Sequence, residues 1–113
     1  MELPNIPESD RVKPISYDPD RGEFVLFDDA VEARNPLIPP ADLSREELKR
    51  VVIERHRRGP DYTVRTSTGE TYSRDEVIHA IEADTEFGKA TVDAEVKYIA
   101  ALVKQISDAL RNQ

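Results

Sequence analysis

Residues 71–81 read TYSRDEVIHAI. Two β-formers, Thr71 and Tyr72, run straight into Ser73; Glu76 follows three residues later, and Val77, Ile78 and Ile81 make an apolar face behind it. This is a capping box. The serine hydroxyl accepts from the amide of the third helical residue, whose glutamate reaches back to the serine amide, while Tyr72 and Val77 staple the entry. A strand delivered directly into a helix implies an α+β fold. The same signature recurs at Leu43-Ser44-Arg45-Glu46-Glu47-Leu48. Two capped helices therefore bracket residues 59–70, GPDYTVRTSTGE, in which Gly59-Pro60 stops the first helix, Tyr62–Arg65 is a short strand and Ser67-Thr68-Gly69 is a turn. A hairpin over 62–72 is expected.

The pair Glu76 and His79 has the Glu-x-x-His spacing of carboxylate-bridged metal bundles, which makes a metal-dependent oligomeric enzyme one reading. Such sites need a second pair and further glutamates facing a bundle core, and no second Glu-x-x-His occurs. Capping already explains Glu76, so the sequence calls for no metal and no cofactor. Asp18, Asp20 and Asp29 fall at the first, third and twelfth positions of a calcium loop. Gly22 and Glu23 then occupy the fifth and sixth positions, where a ligand and a glycine belong. The Ser67-Thr68-Gly69 turn lacks the lysine and the following helix of a phosphate loop.

A third helix is written in Val92, Val96, Ile99, Val103, Ile106 and Leu110, which recur at alternating spacings of four and three, with Ala100, Leu102 and Ala109 widening the seam. It is expected to pack on the first two helices and their hairpin, since every helix of a small domain needs a buried face; the alternative is that its length leaves an end of residues 92–110 free for a partner, a homodimer among them. In the preceding stretch ADTEFGKAT, Asp84, Thr85 and Thr91 are candidate caps and Gly88 a candidate break.

Upstream of Leu43 the composition changes. Six of the eight prolines lie in the first 39 residues, and Met1–Glu32 carries nine acids against three bases. Proline removes a donor and biases its predecessor away from helix, so residues 1–42 read as an extended, Pro-rich arm. It holds a candidate hairpin over 13–27, with strands Lys13–Tyr17 and Glu23–Phe27, and a spacer, RNPLIPPADL. The expected order is arm, then α-β-β-α-α over 43–113, a small three-helix domain with one short hairpin. An arm with Ile6, Ile15, Tyr17, Phe24, Val25, Phe27, Leu37 and Ile38 is too apolar for a solvating tail and too broken for its own core. It is expected to dock elsewhere, Glu23–Phe27 adding as a strand to another chain, and its removal is expected to leave 43–113 folded.

With 113 residues, 38% of them apolar and 6% aromatic, one modest core is expected. A net charge of −7 opposes general affinity for nucleic acid or anionic membrane. The absence of cysteine excludes thiol chemistry and thiolate metal sites. Neither a signal peptide nor a membrane span is written in the chain, which reads as a soluble, cytoplasmic protein. One basic run, Lys49, Arg50, Arg55, His56, Arg57 and Arg58, crowds the end of the first helix, where cations meet its negative pole. It suits an acidic surface, the arm included; a nucleic-acid-binding regulator is the rival reading. No Ser-His-Asp spacing supports catalysis. The sequence thus points to a protein-binding adaptor, accessory subunit or regulator of a larger, bacterial-type assembly, with Tyr17, Phe24, Val25, Phe27, Leu37, Ile38, Arg55, Arg57 and Arg58 as its contact residues.

If the two boxes form as read, Ser44→Ala and Ser73→Ala should each lower stability in urea by about 0.5–2 kcal/mol. His79→Gln should leave the transition almost unmoved.

Overall fold

A computed structural model describes residues 11–33 and 37–111; Ile6, counted above among the arm's apolar residues, lies outside them. Among the described residues the order is β1 (Pro14–Asp18), β2 (Glu23–Leu26), α1 (Phe27–Ala33), a 3-10 turn (Pro40–Asp42), α2 (Arg45–Arg58), β3 (Thr63–Arg65), β4 (Thr71–Ser73), α3 (Arg74–Glu82) and α4 (Glu86–Arg111). The strands form two separate antiparallel pairs, β1 with β2 and β3 with β4. The α+β architecture and the α-β-β-α-α order after Leu43 are as expected. At about 1.5 Å per residue α4 is some 39 Å long.

Both capping boxes are complete. Ser44 Oγ accepts from the Glu47 amide at 3.1 Å and Glu47 Oε1 from the Ser44 amide at 2.8 Å; for Ser73 and Glu76 the distances are 3.2 and 3.0 Å. Thr85 caps α4, its Oγ1 accepting from the Gly88 amide at 3.0 Å. Gly88 does not break the helix. A Cβ there would stand 2.1 Å from the Ala80 carbonyl oxygen, so the missing side chain is what lets the first turn of α4 press against α3. The connection between them is short because Asp84 adopts a left-handed conformation, φ 56°, a position that Asp tolerates better than most residues.

The N-terminal hairpin departs from the sequence reading. It forms, closed by Gly22 at φ 67° and by the Asp18 carboxylate accepting from the Asp20 amide, so Asp18 makes a turn rather than a calcium ligand. A bulge between Pro14 and Ser16 breaks the alternation, and Pro14, Ile15 and Ser16 are all buried. Extra residues in one strand re-aim side chains in this way. Phe27 is not the end of a strand. It opens α1, where Asp28 and Asp29 meet the positive pole of the helix, and its ring is buried with Ala30 one turn on.

These residues do not form an independent arm. Ile15 and Phe27, each 1% exposed, belong to one apolar cluster with Val51, Val52, Ile81, Ile99 and Ile106. The strand Glu23–Leu26 pairs with β1 of its own chain. Leu37 packs against the same core, and the Ile38 carbonyl accepts from the buried Ser16 hydroxyl at 2.7 Å, so the spacer is fastened too. The seam of α4 is likewise covered from within: Val92, Ile99, Leu102, Val103 and Ile106 are buried, against α2, α3, β1 and the 3-10 turn. Ala100 faces outward and does not widen the seam.

Cutting the chain at Leu43 removes Ile15, Phe27 and Ala30 from that cluster. The fragment 43–113 should therefore lack a cooperative thermal transition by circular dichroism, whereas the full chain should show one; a sharp transition in the fragment would restore the independent arm.

Candidate functional site

Two places bring polar side chains from several elements together. The first is an open groove of about 770 Å³ between the β3–β4 hairpin, α3 and the first turn of α4. Thr66, Thr68, Glu70 and Tyr72 come from the hairpin, Asp75, Glu76, His79 and Ala80 from α3, and Thr85, Glu86 and Phe87 from the start of α4. Local chemistry places each set. The hairpin turn is closed by Gly69 at φ 91° and by the Gly69 amide donating to the Thr66 carbonyl. The close Gly88–Ala80 approach holds Phe87 beside Tyr72. Their rings stack at 4.2 Å between centroids with 7° between planes.

Electrostatically this groove is one-sided. Tyr72 donates to Glu70 Oε2 at 2.8 Å; that bond, then burial and the charges of Glu70 and Glu76, push the phenol up. Hydrogen bonds from the Ser73 amide and hydroxyl hold the Glu76 carboxyl below the usual range, so it is ionised at neutral pH. Among the described residues no cation pairs with Glu70, Glu76 or Glu86. His79 is exposed at the margin, and among the described residues no three His, Cys, Asp or Glu side chains group to hold a metal. The Glu76–His79 spacing thus serves a helix cap and a groove wall.

The second place lies at the end of α2. Arg55 is 6% exposed and donates through Nε to Glu95 of α4 at 3.2 Å and through Nη1 to the Pro14 carbonyl of β1 at 3.0 Å. Its guanidinium also sits 5.5 Å from the Tyr98 ring. His56 places Nδ1 2.5 Å from the Tyr62 hydroxyl and Nε2 2.7 Å from Glu95 Oε1. The second contact is close but off the direction of the ring N–H, so it is a close approach rather than an aligned hydrogen bond. A cavity of about 220 Å³ adjoins, bordered by Lys13, Gly59 and Pro60.

Tyrosine, histidine and carboxylate in series have the form of a proton relay. The protonation states work against that use. Burial, then the Glu95 charge, raise the Tyr62 phenol despite Arg74, which keeps it protonated at neutral pH, the wrong state for a nucleophile or base. Burial pushes the Glu95 carboxyl up, but the contact and charge of His56 and the charge and hydrogen bond of Arg55 draw it down further, to a net lowered value. The cluster therefore behaves as a tie joining α2, α4, the loop before β3, and β1.

The basic run is taken up in the same manner. Lys49 lies 3.1 Å from Asp84 and Arg58 2.8 Å from Glu54, while Arg45, one turn before the run, lies 2.8 Å from Asp93. Arg58 also donates to the Val12 carbonyl at 3.3 Å, and Arg50 lies 5.9 Å from the Tyr17 ring. Among the described residues its complement in the N-terminal segment is thus backbone carbonyls and an aromatic face. Of the contact residues read from sequence, Phe27 and Arg55 are buried within the chain and unavailable to a partner. Tyr17, Phe24, Val25 and Leu37 are half-buried against the core, Tyr17 and Phe24 edge to face at 5.5 Å. Ile38 is half-buried, while Arg57 and Arg58 reach the surface. The groove went unread because Phe87 stood in a stretch whose helix start was open; an aromatic beside a helix start, facing a hairpin aromatic, was the available signal.

Compared with protein-family models, curated proteins and solved structures, the chain finds no match.

Because the folded Glu95 value is lowered, its stabilisation is present above the ordinary glutamate value of 4.5 and is lost as pH falls through the folded value. Glu95→Gln should lower stability at pH 7 by about 1–3 kcal/mol, the cost of leaving buried donors unsatisfied. It should also flatten the loss of stability below pH 4.5, as read by urea midpoints across the acid range.

Proposed function

We propose that the protein is a protein-binding module, an adaptor, accessory subunit or regulator, which engages its partner through the groove between β3–β4, α3 and α4. The observation that carries this reading is the groove itself: a concave surface open to solvent, lined by Ala80, the stacked rings of Tyr72 and Phe87, and polar side chains from three elements. Apolar floors with polar rims are how partner surfaces are built. Thr68, Glu70 and Glu86, on its rim, are exposed. The engagement of Lys49, Arg58 and Arg55 of the basic run by Asp84, Glu54 and Glu95 supports a protein partner over nucleic acid, since fewer cations remain to displace counterions from phosphates. The surface that acts is accordingly the groove, and the N-terminal segment serves the fold that presents it. Among the described residues no helix is long and apolar enough to cross a membrane.

The test fills the groove. A partner captured by the full chain from its host and identified by mass spectrometry is purified and titrated against the unaltered protein and Thr68→Trp. Thr68 is exposed in the hairpin turn, so the indole should lie over the groove with little effect on the thermal transition. Affinity should fall roughly tenfold or more, as expected when a central contact is blocked; equal affinity for both proteins would place the partner on another surface.

A further inference from the structure

The groove's charge and aromatic lining together specify what it takes. Between Thr66 and Phe87 the chain has six acids, Glu70, Asp75, Glu76, Glu82, Asp84 and Glu86, and a single base, Arg74. Asp84 is paired with Lys49 across the core side, Glu82 lies 4.0 Å from Arg57, and Asp75 lies 3.9 Å from Arg74. The remaining three, Glu70, Glu76 and Glu86, all line the groove. Acids alone mark no site; here they line the same groove as a stacked aromatic pair. Two independent features therefore ask for the same ligand group. The negative faces of aromatic rings attract cations, and carboxylates with no cation of their own attract them more.

Resting on the reading of the groove as the partner surface, we propose that its occupant is a segment of another protein bearing an arginine, whose guanidinium lies against the Tyr72–Phe87 rings and pairs with Glu70 and Glu86. Arginine fits better than lysine. Its planar fork can stack on a ring and bridge two carboxylates at once, while its weaker hydration lowers the cost of leaving water. Glu76 adds field rather than a direct contact, because one of its oxygens is held by the Ser73 amide. The aliphatic part of the arginine and an apolar neighbour in the segment cover Ala80 and the ring edges. The whole-molecule charge of −7 steers such a segment inward.

The experiment uses the full chain labelled with nitrogen-15 and four blocked tetrapeptides: Ac-Arg-Leu-Arg-Leu-NH2 and its counterparts with citrulline, lysine or glutamate in place of arginine. The arginine peptide should shift the amides of Thr66, Thr68, Tyr72, His79 and Phe87 in a saturable manner. Its affinity should fall with added salt, and by roughly tenfold or more in the double variant Glu70→Gln, Glu86→Gln, in proportion to the loss of two close charge pairs. Both glutamates are exposed, and unchanged spectra of the free variant elsewhere in the chain confirm its fold. The lysine peptide should bind more weakly than the arginine one at the same amides. Equal affinity of the citrulline peptide, or preference for the glutamate one, overturns the cationic occupant while leaving the groove as a binding surface. Shifts confined to residues outside the groove for all four peptides overturn the proposal outright, and the Thr68→Trp titration then decides the groove reading separately.

Discussion

The guanidinium of Arg55 is the point on which the fold turns. It is a full charge in a position 6% exposed, and a charge there is tolerated only when paired and hydrogen-bonded. Its partners come from different parts of the chain: Glu95 of α4, the Pro14 carbonyl of β1 and the face of Tyr98. Satisfying one residue of α2 thus sets the distance of α4, closes the N-terminal hairpin onto α2 and completes the pocket for Ile15. Removing any partner leaves a buried donor, so the three segments hold together or separate together.

Much of this architecture was written locally. Ser44 with Glu47 and Ser73 with Glu76 state their helix starts in four residues each, and both boxes close as read. Gly69 and Gly22 mark turns because their positive φ values exclude most side chains. The seam from Val92 to Leu110 is legible for the same reason, since helical period is a local property. What could not be read was which local pieces share a core. Ile15 and Phe27 lie in a proline-rich stretch that cannot support itself, and nothing nearby says whether their cover is this chain or another. The answer depends on the bulge at Pro14–Ser16 and on a cation forty residues away. Phe27 was misread as strand because EFVLF has strand composition, while the two aspartates after it belong to a helix start.

The site was less legible than the fold for a related reason. Its polar residues were visible and individually explained: Glu76 caps, Tyr72 staples, Glu70 follows a turn. Only the packing of Gly88 on Ala80 brings Phe87 to Tyr72 and turns separate local roles into one surface. The Glu95–His56–Tyr62 cluster is hidden in the same way. Glu95 borders the α4 seam between Val92 and Ile99, a place where a carboxylate needs a partner, but its spacing from His56 carries no information.

The placement of Ile15 and Ile106 in one cluster has a consequence for how the chain reaches this structure. The capped helices and both hairpins are short-range and can form as soon as their own residues are free. The core that unites them joins residues about ninety positions apart, so its closure carries the loop-entropy cost of a long-range contact. On a ribosome, the N-terminal hairpin would emerge with Ile15 and Phe27 uncovered and wait while α2, the second hairpin and most of α4 were made. Throughout that interval the segment's own charge, nine acids against three bases over Met1–Glu32, opposes association between chains whose Ile15 and Phe27 are still uncovered.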